Sequence, residues 1–253
     1  MIAQDYGLSI APHLLEKTAP LYVGCEFEIE DIKTSEDACA FLKVETDGSL
    51  RNNGVEYITF PTPVAEIGAL FTRLHQEIVY GPEAFTERTS IHVHVNCSNM
   101  FPQEVRNIVL LYALFEESFF AMVDPHRRNN IHCVALTETY LPNHYKLTLN
   151  SLITKWHKYT ALNIKPLGTQ GTIEFRHMHG HNDVTLFTEW ISVLQNLVTY
   201  GRVFKVNSHS LDEKALENMF NNLFGTTRLR EKWTEQRALM DNQIIDVKLS
   251  TIN

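Results

Sequence analysis

The chain has 253 residues, of which 44% are hydrophobic, and this is enough to bury one large core in a single domain. Its net charge is −8 and its pI about 5.8, so it lacks the overall basic surface with which proteins bind nucleic acid. Its four cysteines are scattered and form no C-x-x-C pair, which favours free thiols in a reducing compartment. Since we find neither a signal-peptide pattern nor an apolar run of membrane-spanning length, we expect a soluble cytoplasmic protein without membrane partners.

Acidic residues occupy every second position near the end of the first predicted strand, residues 21–30. Glu26, Glu28 and Glu30 therefore share one face of this strand, while the residues between them are apolar. Carboxylates on one strand face repel each other, and a hard cation held by their oxygen atoms would turn this repulsion into attraction. The pattern predicts either a cation site or a solvent-exposed edge strand.

A β-hairpin follows, and its second strand adds another acid. Residues 41–46 and 55–60 have strand character, and the segment between them is rich in the Asp, Asn and Gly residues typical of turns. Glu56 lies in the second strand, so it joins the acids of the first strand if the two strands are neighbours. Apolar residues at helical spacing then predict an amphipathic helix over residues 64–79.

Two histidines mark the next predicted strand, residues 90–96. His92 and His94 lie on one face, whereas Val93 between them lies on the apolar face. A single histidine in such a strand is usually structural, but two at this spacing can both point into a site and bind metal or phosphate. The helix predicted over residues 102–122 has a broad apolar side and is expected to support the sheet.

A polar loop, residues 124–130, contains two adjacent arginines. Arg127 and Arg128 can bind phosphate oxygens in a bidentate manner, because a guanidinium matches the geometry of two oxygens. A loop exposed to solvent accounts for the same residues equally well, so both interpretations stay open.

Charged and apolar residues alternate again in residues 172–179. Glu174 and Arg176 share one face, and burying them without partners would cost so much free energy that we expect them to meet metal, phosphate or opposite charge. A structural ion pair is the alternative. Residues 158–165 are predicted to pair with this strand, so that each of the two strands carries a cation, Lys158 or Arg176, on a polar face.

The same alternation has consequences for the residues around it. It predicts that Met178 shares the face of Glu174 and Arg176. His177, His179 and His181 follow at alternate positions, and we favour ordinary loop histidines over zinc ligands there because Gly180 interrupts the run. Further helices are predicted over residues 147–153, 183–203, 211–223 and 227–240.

Six short motifs, taken in chain order, resemble those of one family. They are Gly24-Cys-Glu26-Phe-Glu28, Asp47-Gly-Ser49 before Val55-Glu56-Tyr-Ile58, His92-Val-His94-Val95, Arg127-Arg-Asn-x-x-x-Cys133, Lys158-Tyr-x-x-Leu-Asn163 and Thr172-Ile-Glu-Phe-Arg176. The ordered set resembles the amidoligases of the glutamine synthetase-like carboxylate–amine ligase superfamily over about residues 21–201.

The resemblance implies an α+β fold similar to the catalytic domain of glutamine synthetase, with a curved, mainly antiparallel sheet backed by helices. The whole chain, residues 1–253, is then a single catalytic domain. It comprises an N-terminal arm of residues 1–20, a family-like core of residues 21–201 and a C-terminal helical extension of residues 202–253.

The resemblance also implies a site for ATP and Mg²⁺. The implied metal ligands are Glu26, Glu28, Glu56, Glu174 and a histidine, His92 or His94. The implied catalytic residues, which steady the phosphoryl group, are Arg176, Lys158, Arg127 and Arg128. The implied cofactor-binding residues are Asp47, Ser49, His92, His94 and Asn163. Relatives often have arginine where this chain has Lys158, and lysine gives up the bidentate geometry.

The implied reaction joins a carboxylate to an amine through an acyl phosphate. Such chemistry needs positioning and charge neutralisation rather than a nucleophilic triad. The expected substrates are a small-molecule, peptide or protein carboxylate and an amine, while the oligomeric state is left open. Two alternatives remain. The first is a zinc- or iron-dependent β-sheet enzyme that uses His92, His94 and a glutamate. The second is a catalytically inactive family member that serves as a binding module.

Overall fold

One curved, unclosed sheet organises the fold, and a computed structural model describes it over residues 1–34, 42–139, 148–205 and 211–251. Within these ranges the strands lie in the order β2-β3-β1-β5-β7-β6, β4 pairs with β1, and all of these pairs are antiparallel. The predicted α+β class is therefore confirmed. The strands are β1 Tyr22–Ile29, β2 Lys43–Glu45, β3 Val55–Ile58, β4 Thr62–Pro63, β5 Ser90–Asn96, β6 Leu162–Asn163 and β7 Thr172–His179.

Helices cover the apolar side of this sheet. Phe27 of β1 packs against Phe71 and Phe187, with ring centroids 5.6 and 5.7 Å apart. Each large side chain buried in this way contributes about 1.5–3 kcal/mol to stability. The helices of the described ranges are α1 Ile2–Asp5, α2 Pro12–Leu15, α3 Val64–Glu77, α4 Pro102–Ala121, α5 Leu149–Lys155, α6 Val184–Val203, α7 Glu213–Phe224, α8 Trp233–Arg237 and α9 Asp241–Thr251.

The two longest helices, α4 and α6, begin at the capping residues that the sequence contains. Pro102 is the first residue of α4, and Glu104 accepts a hydrogen bond from the backbone N–H of Phe101 at 2.6 Å. The side chain of Asp183 accepts hydrogen bonds from the first turn of α6. Both helices lie where they were predicted, and none of the helices that the structure describes is both long and apolar enough to cross a bilayer.

The C-terminal helices differ from the prediction. The prediction of a continuous helix over residues 227–240 is wrong, because only Trp233–Arg237 is helical there and the chain turns before α9. The hydroxyl of Thr227 donates to the carbonyl of Phe224 and accepts from the N–H of Leu229, and these side-chain bonds compete with helical ones. The start of the helix predicted at 147–153 lies outside the described residues, and the observed α5 runs from Leu149 to Lys155.

A β-bulge changes the alternation of β7. Val93 of β5 pairs with Phe175 and Ile91 pairs with Met178, so two residues of β7 lie opposite the single residue His92. The extra residue reverses the side-chain alternation beyond it. Met178 therefore lies buried on the core side rather than beside Glu174 and Arg176, and the prediction for this residue is wrong.

The strand predicted over residues 158–165 is much shorter than expected. Only Leu162 and Asn163 pair with β7, while Lys158 and Tyr159 lie in a turn. The hydroxyl of Thr160 donates to the carbonyl of His157 at 2.6 Å, which stabilises the turn in place of a strand. Lys158 consequently does not share a strand face with Asn163.

Candidate active site

The predicted metal ligands meet on the face of the sheet opposite the apolar side that packs against the helices. Strand register brings them into adjacent rows, since Glu28 pairs with Glu56, Glu26 with His92, and His94 with Glu174. The alternation of β1 and β5 thus holds as predicted, with apolar residues on the core side. The residues brought together in this way are Glu26, Glu28, Glu56, His92, His94 and Glu174.

A first cluster is formed by Glu26, His94 and Glu174, whose ligand atoms all lie within 4.8 Å of one another. Oε1 of Glu26 lies 3.1 Å from Nε2 of His94, and Oε2 of Glu26 lies 3.0 Å from Nδ1 of His92. Burial raises the pKa of Glu26, but the hydrogen bonds and charges of the two histidines outweigh it, so the net pKa is lower than usual. Glu26 is therefore an anion held between two imidazoles.

A second cluster consists of Glu28, Asp47 and Glu56, whose oxygen atoms also lie within 4.8 Å of one another. Asp47 comes from the loop after β2, where it accepts a 2.7 Å hydrogen bond from the backbone N–H of Ser49. Burial, followed by the charges of nearby carboxylates, raises the pKa of Glu56 to about 8. A set of oxygen donors that repel each other in this way suits a hard divalent cation.

Ser90 connects Glu28 of the second cluster to His92, which in turn contacts Glu26 of the first cluster. Its backbone N–H and its hydroxyl lie 2.7 and 2.6 Å from Oε2 of Glu28, and the hydroxyl lies 2.8 Å from Nε2 of His92. On the other side, Thr172 Oγ1 lies 3.0 Å from Nδ1 of His94 and so orients that ring. Sequence reasoning missed both hydroxyl residues, although each lies two positions before a predicted ligand on the same strand face.

The Glu174 carboxylate is fixed from two sides. Nδ2 of Asn163 donates to its Oε2 at 2.7 Å, and Nη1 of Arg176 donates to its Oε1. Nε of Arg176 also donates to the carbonyl of His132 at 3.0 Å. Glu174 thus forms the expected ion pair with Arg176 and also belongs to the first cluster. Asn163 contacts this predicted metal ligand directly.

The four predicted cations occupy different environments. Arg127 is buried and donates to the backbone carbonyls of His177 and Arg176 at 3.0 and 2.6 Å. Arg128 instead forms ion pairs on the helical side, 3.0 Å from Glu117 and 2.9 Å from Glu138. 

Lys158 is exposed, and its Nζ lies 4.6 Å from the centre of the Tyr159 ring. Of the four cations, Arg127 and Arg176 line the cavity described next, and Arg128 and Lys158 do not. The catalytic roles of all four stay predictions.

Two cavities of opposite character flank the ligand clusters. One, which we call the apolar cavity, measures about 370 Å³ and reaches Glu26 and His94 of the first cluster. Its walls include Ile10, Leu14, Tyr22, Val23, Ile58 and Pro61. The other, the arginine cavity, measures about 780 Å³ and reaches Glu28 and Asp47 of the second cluster. Its walls include Arg51, Arg88, Arg127, His132, Tyr159 and Arg176.

Comparison with protein families gives one match that fits this geometry. Residues 33–198, about two thirds of the chain, match the family model described as "Putative amidoligase enzyme". The chain belongs to the amidoligase family. This membership indicates an enzyme with a ligase-type function. A search of curated proteins finds no match.

The family match covers part of the candidate site and leaves part outside. It contains Glu56, His94 and Glu174, whereas β1, with Glu26 and Glu28, precedes residue 33. Strand β1 is therefore tied to the matched region by structure, through its register with β3 and β5.

Glu30, the acid that directly follows β1, has a supporting role in the amidoligase fold. Its Oε1 accepts from the backbone N–H of Arg51 at 2.7 Å, and its two oxygens accept from the Arg88 guanidinium at 3.0 and 3.1 Å. Its Oε2 also accepts from the hydroxyl of Thr86. Glu30 thus binds together two loops at the rim of the arginine cavity, a role that alternation alone did not predict.

Proposed function

We propose that this amidoligase is an ATP- and Mg²⁺-dependent carboxylate–amine ligase that works through an acyl phosphate. The observation that carries the proposal is the position of two acidic clusters between two cavities of opposite character. A ligase of this kind must bring a nucleotide and a carboxylate to a shared set of cations, and a site with two entrances meets that need.

The donor sets support magnesium as the cation. Glu28, Asp47 and Glu56 offer oxygen atoms only, which Mg²⁺ prefers, while Glu26, His94 and Glu174 add one imidazole. When bound, Mg²⁺ neutralises phosphate charge and orients the phosphoryl group. Thr172 hydrogen-bonds the His94 ring, and Asn163 hydrogen-bonds the Glu174 carboxylate. These bonds restrict rotation of the two ligand side chains and so orient them toward a cation.

The apolar cavity suits the nucleotide base. Its walls include aliphatic and aromatic side chains, which favour a flat apolar ring, and it also reaches Glu26 and His94. A nucleotide with its base between these walls would extend its phosphates toward the first cluster. A bound cation there would screen the phosphates from the Glu26 carboxylate.

The arginine cavity suits the carboxylate substrate. Guanidinium groups bind carboxylates well, and Arg176 lines this cavity beside Glu174 of the first cluster. In the proposed first step the γ-phosphorus bond to ADP breaks and a bond to a carboxylate oxygen forms. In the second step the amine nitrogen bonds to the acyl carbon, inorganic phosphate leaves, and the nitrogen loses a proton.

The size of the arginine cavity limits the part of the substrate that enters it. About 780 Å³ holds a small molecule or one side chain of a peptide or protein. We extend the proposal to a cytoplasmic location without nucleic-acid partners. The buried thiols of Cys25, Cys97 and Cys133 are free, as is usual in a reducing compartment, and the chain is acidic overall.

Calorimetry with a non-hydrolysable ATP analogue tests the proposal. We expect binding by the wild type only when Mg²⁺ is present, and loss of this binding in the Glu26→Ala, Glu28→Ala double variant. A matched control is Glu66→Ala, Glu217→Ala, which removes two exposed carboxylates elsewhere. Failure of the wild type to bind the nucleotide would contradict the proposal.

Metal content separates the proposal from its closest rival. Both His92 and His94 lie beside Glu26, and this is the observation that favours a zinc or iron enzyme. Stoichiometric zinc or iron in the purified protein, retained on dialysis, would support that rival. We expect neither metal, because the rival leaves the oxygen-only cluster at Glu28 without a role.

A further inference from the structure

The N-terminal arm is fastened to the core by hydrogen bonds at its start and further along its length. The backbone N–H groups of Ile2 and Ala3 donate to the carbonyls of Met100 and Ser98, both at 2.9 Å. Further along, Nδ2 of Asn96 donates to the carbonyl of Leu14 at 2.7 Å. The segment between these anchors is thus held near the end of β5.

This fastened segment contributes Ile10 and Leu14 to the wall of the apolar cavity. Both side chains are half-buried rather than packed into the core. The same cavity is also lined by Ile58 of β3 and by Pro61, which lies between β3 and β4. The arm therefore bounds an open space of about 370 Å³ instead of filling it.

The polar groups around the cavity are mostly engaged already. Lys43 and Glu45 pair with each other, and the Asn96 amide is used by the arm and by Ser98. What the cavity offers a ligand is therefore apolar surface together with Glu26 and His94 of the first cluster. A ligand that suits both the apolar surface and the cluster has a flat apolar group joined to an anionic group. The anionic group and the cluster can bind the same cation.

We propose that the N-terminal arm is part of the nucleotide site, with Ile10 and Leu14 covering one side of the base. This inference rests on the proposed ATP dependence and goes beyond it, because the arm lies outside residues 33–198, which match the family. Apolar contact from the arm excludes water from the base, and each side chain adds to nucleotide affinity through the area that it covers.

Alanine substitution in the full-length chain tests this role. Leu14→Ala and Ile10→Ala are each expected to raise the Kd of the Mg²⁺ complex of the ATP analogue about tenfold, since each removes a large apolar contact. Leu15→Ala is the matched control. Leu15 is the next residue of α2 and is also half-buried, but it does not line the cavity. The Kd of the Leu15→Ala variant is therefore expected to stay within about twofold of the wild-type value.

Hydrogen exchange on the wild-type protein gives a second test that does not depend on the folding of a variant. The ATP analogue with Mg²⁺ should slow exchange of the backbone amides between Leu8 and Leu15, and Mg²⁺ alone should not. Unchanged exchange there, with nucleotide bound, would overturn the role of the arm and leave the ligase proposal intact. Absence of nucleotide binding by the wild type would overturn both. Equal losses of affinity in Leu14→Ala and Leu15→Ala would also overturn the arm's role, since they would indicate a general effect on folding.

Discussion

Glu28 and Glu56 face each other as register partners on the neighbouring strands β1 and β3. Glu28 is buried, Glu56 is half-buried, and Asp47 brings a third carboxylate to them. Burial and this concentration of negative charge raise the pKa of Glu56 to about 8. Without a cation, the protein therefore keeps a proton at this site near neutral pH, and a cation would have to displace it.

Mg²⁺ binding should accordingly release a proton. With a pKa of about 8, Glu56 is mostly protonated at pH 7, and a bound cation favours its ionised form. Calorimetry in buffers of different ionisation enthalpy measures the number of protons released. We expect release by the wild type at pH 7 to exceed that by Glu56→Gln by roughly nine tenths of a proton. Equal proton release by the two proteins would show that Glu56 is not part of the cation site. The Glu66→Gln variant, which loses an exposed carboxylate elsewhere, is the control for the change in charge.

The same carboxyl group should make metal-free stability depend on pH. Between its ordinary pKa in the unfolded chain and about 8, the folded state holds a proton that the unfolded state has lost. The free energy of unfolding therefore falls as the pH rises toward 8 and changes no further above it. Urea denaturation in EDTA should show this decline in the wild type and a smaller one in Glu56→Gln, and saturating Mg²⁺ should reduce the difference between them.

Arg127 and Arg128 should respond differently to substitution although they are adjacent. Arg127→Met leaves the carbonyls of Arg176 and His177 without their buried donors, which costs about 1–3 kcal/mol for each group left unsatisfied. Arg128→Met removes only partly exposed ion pairs, worth about 0–1 kcal/mol each. Thermal unfolding and phosphate release on each variant separate stability from catalysis. A loss of turnover in Arg128→Met with an unchanged Tm would assign Arg128 a catalytic role that its position does not suggest.

Ser90→Ala should weaken cation binding while the fold is kept. The hydroxyl of Ser90 connects Glu28 to His92, and groups that orient metal ligands typically contribute about 10–100-fold to metal affinity. Mn²⁺ titration followed by electron paramagnetic resonance measures this affinity. Ser90→Thr keeps a hydroxyl and should recover part of the loss, whereas Ser151→Ala, on α5 and outside both clusters, should change nothing. Mn²⁺ affinity in Ser90→Ala equal to that of wild type would show that the connection is not needed.

Strand alternation predicted most of the ligand clusters because their residues lie on regular strands. Glu26, Glu28, His92 and His94 occupy alternate positions, so a period of two was enough to assign their face. The family resemblance added Glu56 and Glu174 to the predicted ligands, and the observed register places them beside Glu28 and His94.

Other features depend on contacts that no local pattern records. The bulge opposite His92 moves Met178 to the core, and the turn at Thr160 removes Lys158 from the strand. Arg128 is drawn away from the cavity by Glu117, which lies eleven residues earlier on a helix. Leu14 lies in a cavity wall where Asn96 and Ser98, far along the chain, donate to its carbonyl.

Gly24 offers a way to close the apolar cavity without disturbing the sheet. It lines the cavity beside His94, and a Cβ built on it would lie 3.9 Å from Cβ of His94, an ordinary van der Waals distance. A side chain here would therefore project into the space proposed for the nucleotide, and valine is well tolerated in strands.

We expect Gly24→Ala to weaken binding of the ATP analogue slightly and Gly24→Val to weaken it at least about tenfold, because the larger side chain excludes the ligand rather than removing one contact. Far-UV circular dichroism and Tm should match the wild type in both variants. Mn²⁺ affinity should also be kept, since the side chains of both clusters stay in place. If Gly24→Val bound the nucleotide like the wild type, the base would have to lie elsewhere, and the arginine cavity would become the candidate to test.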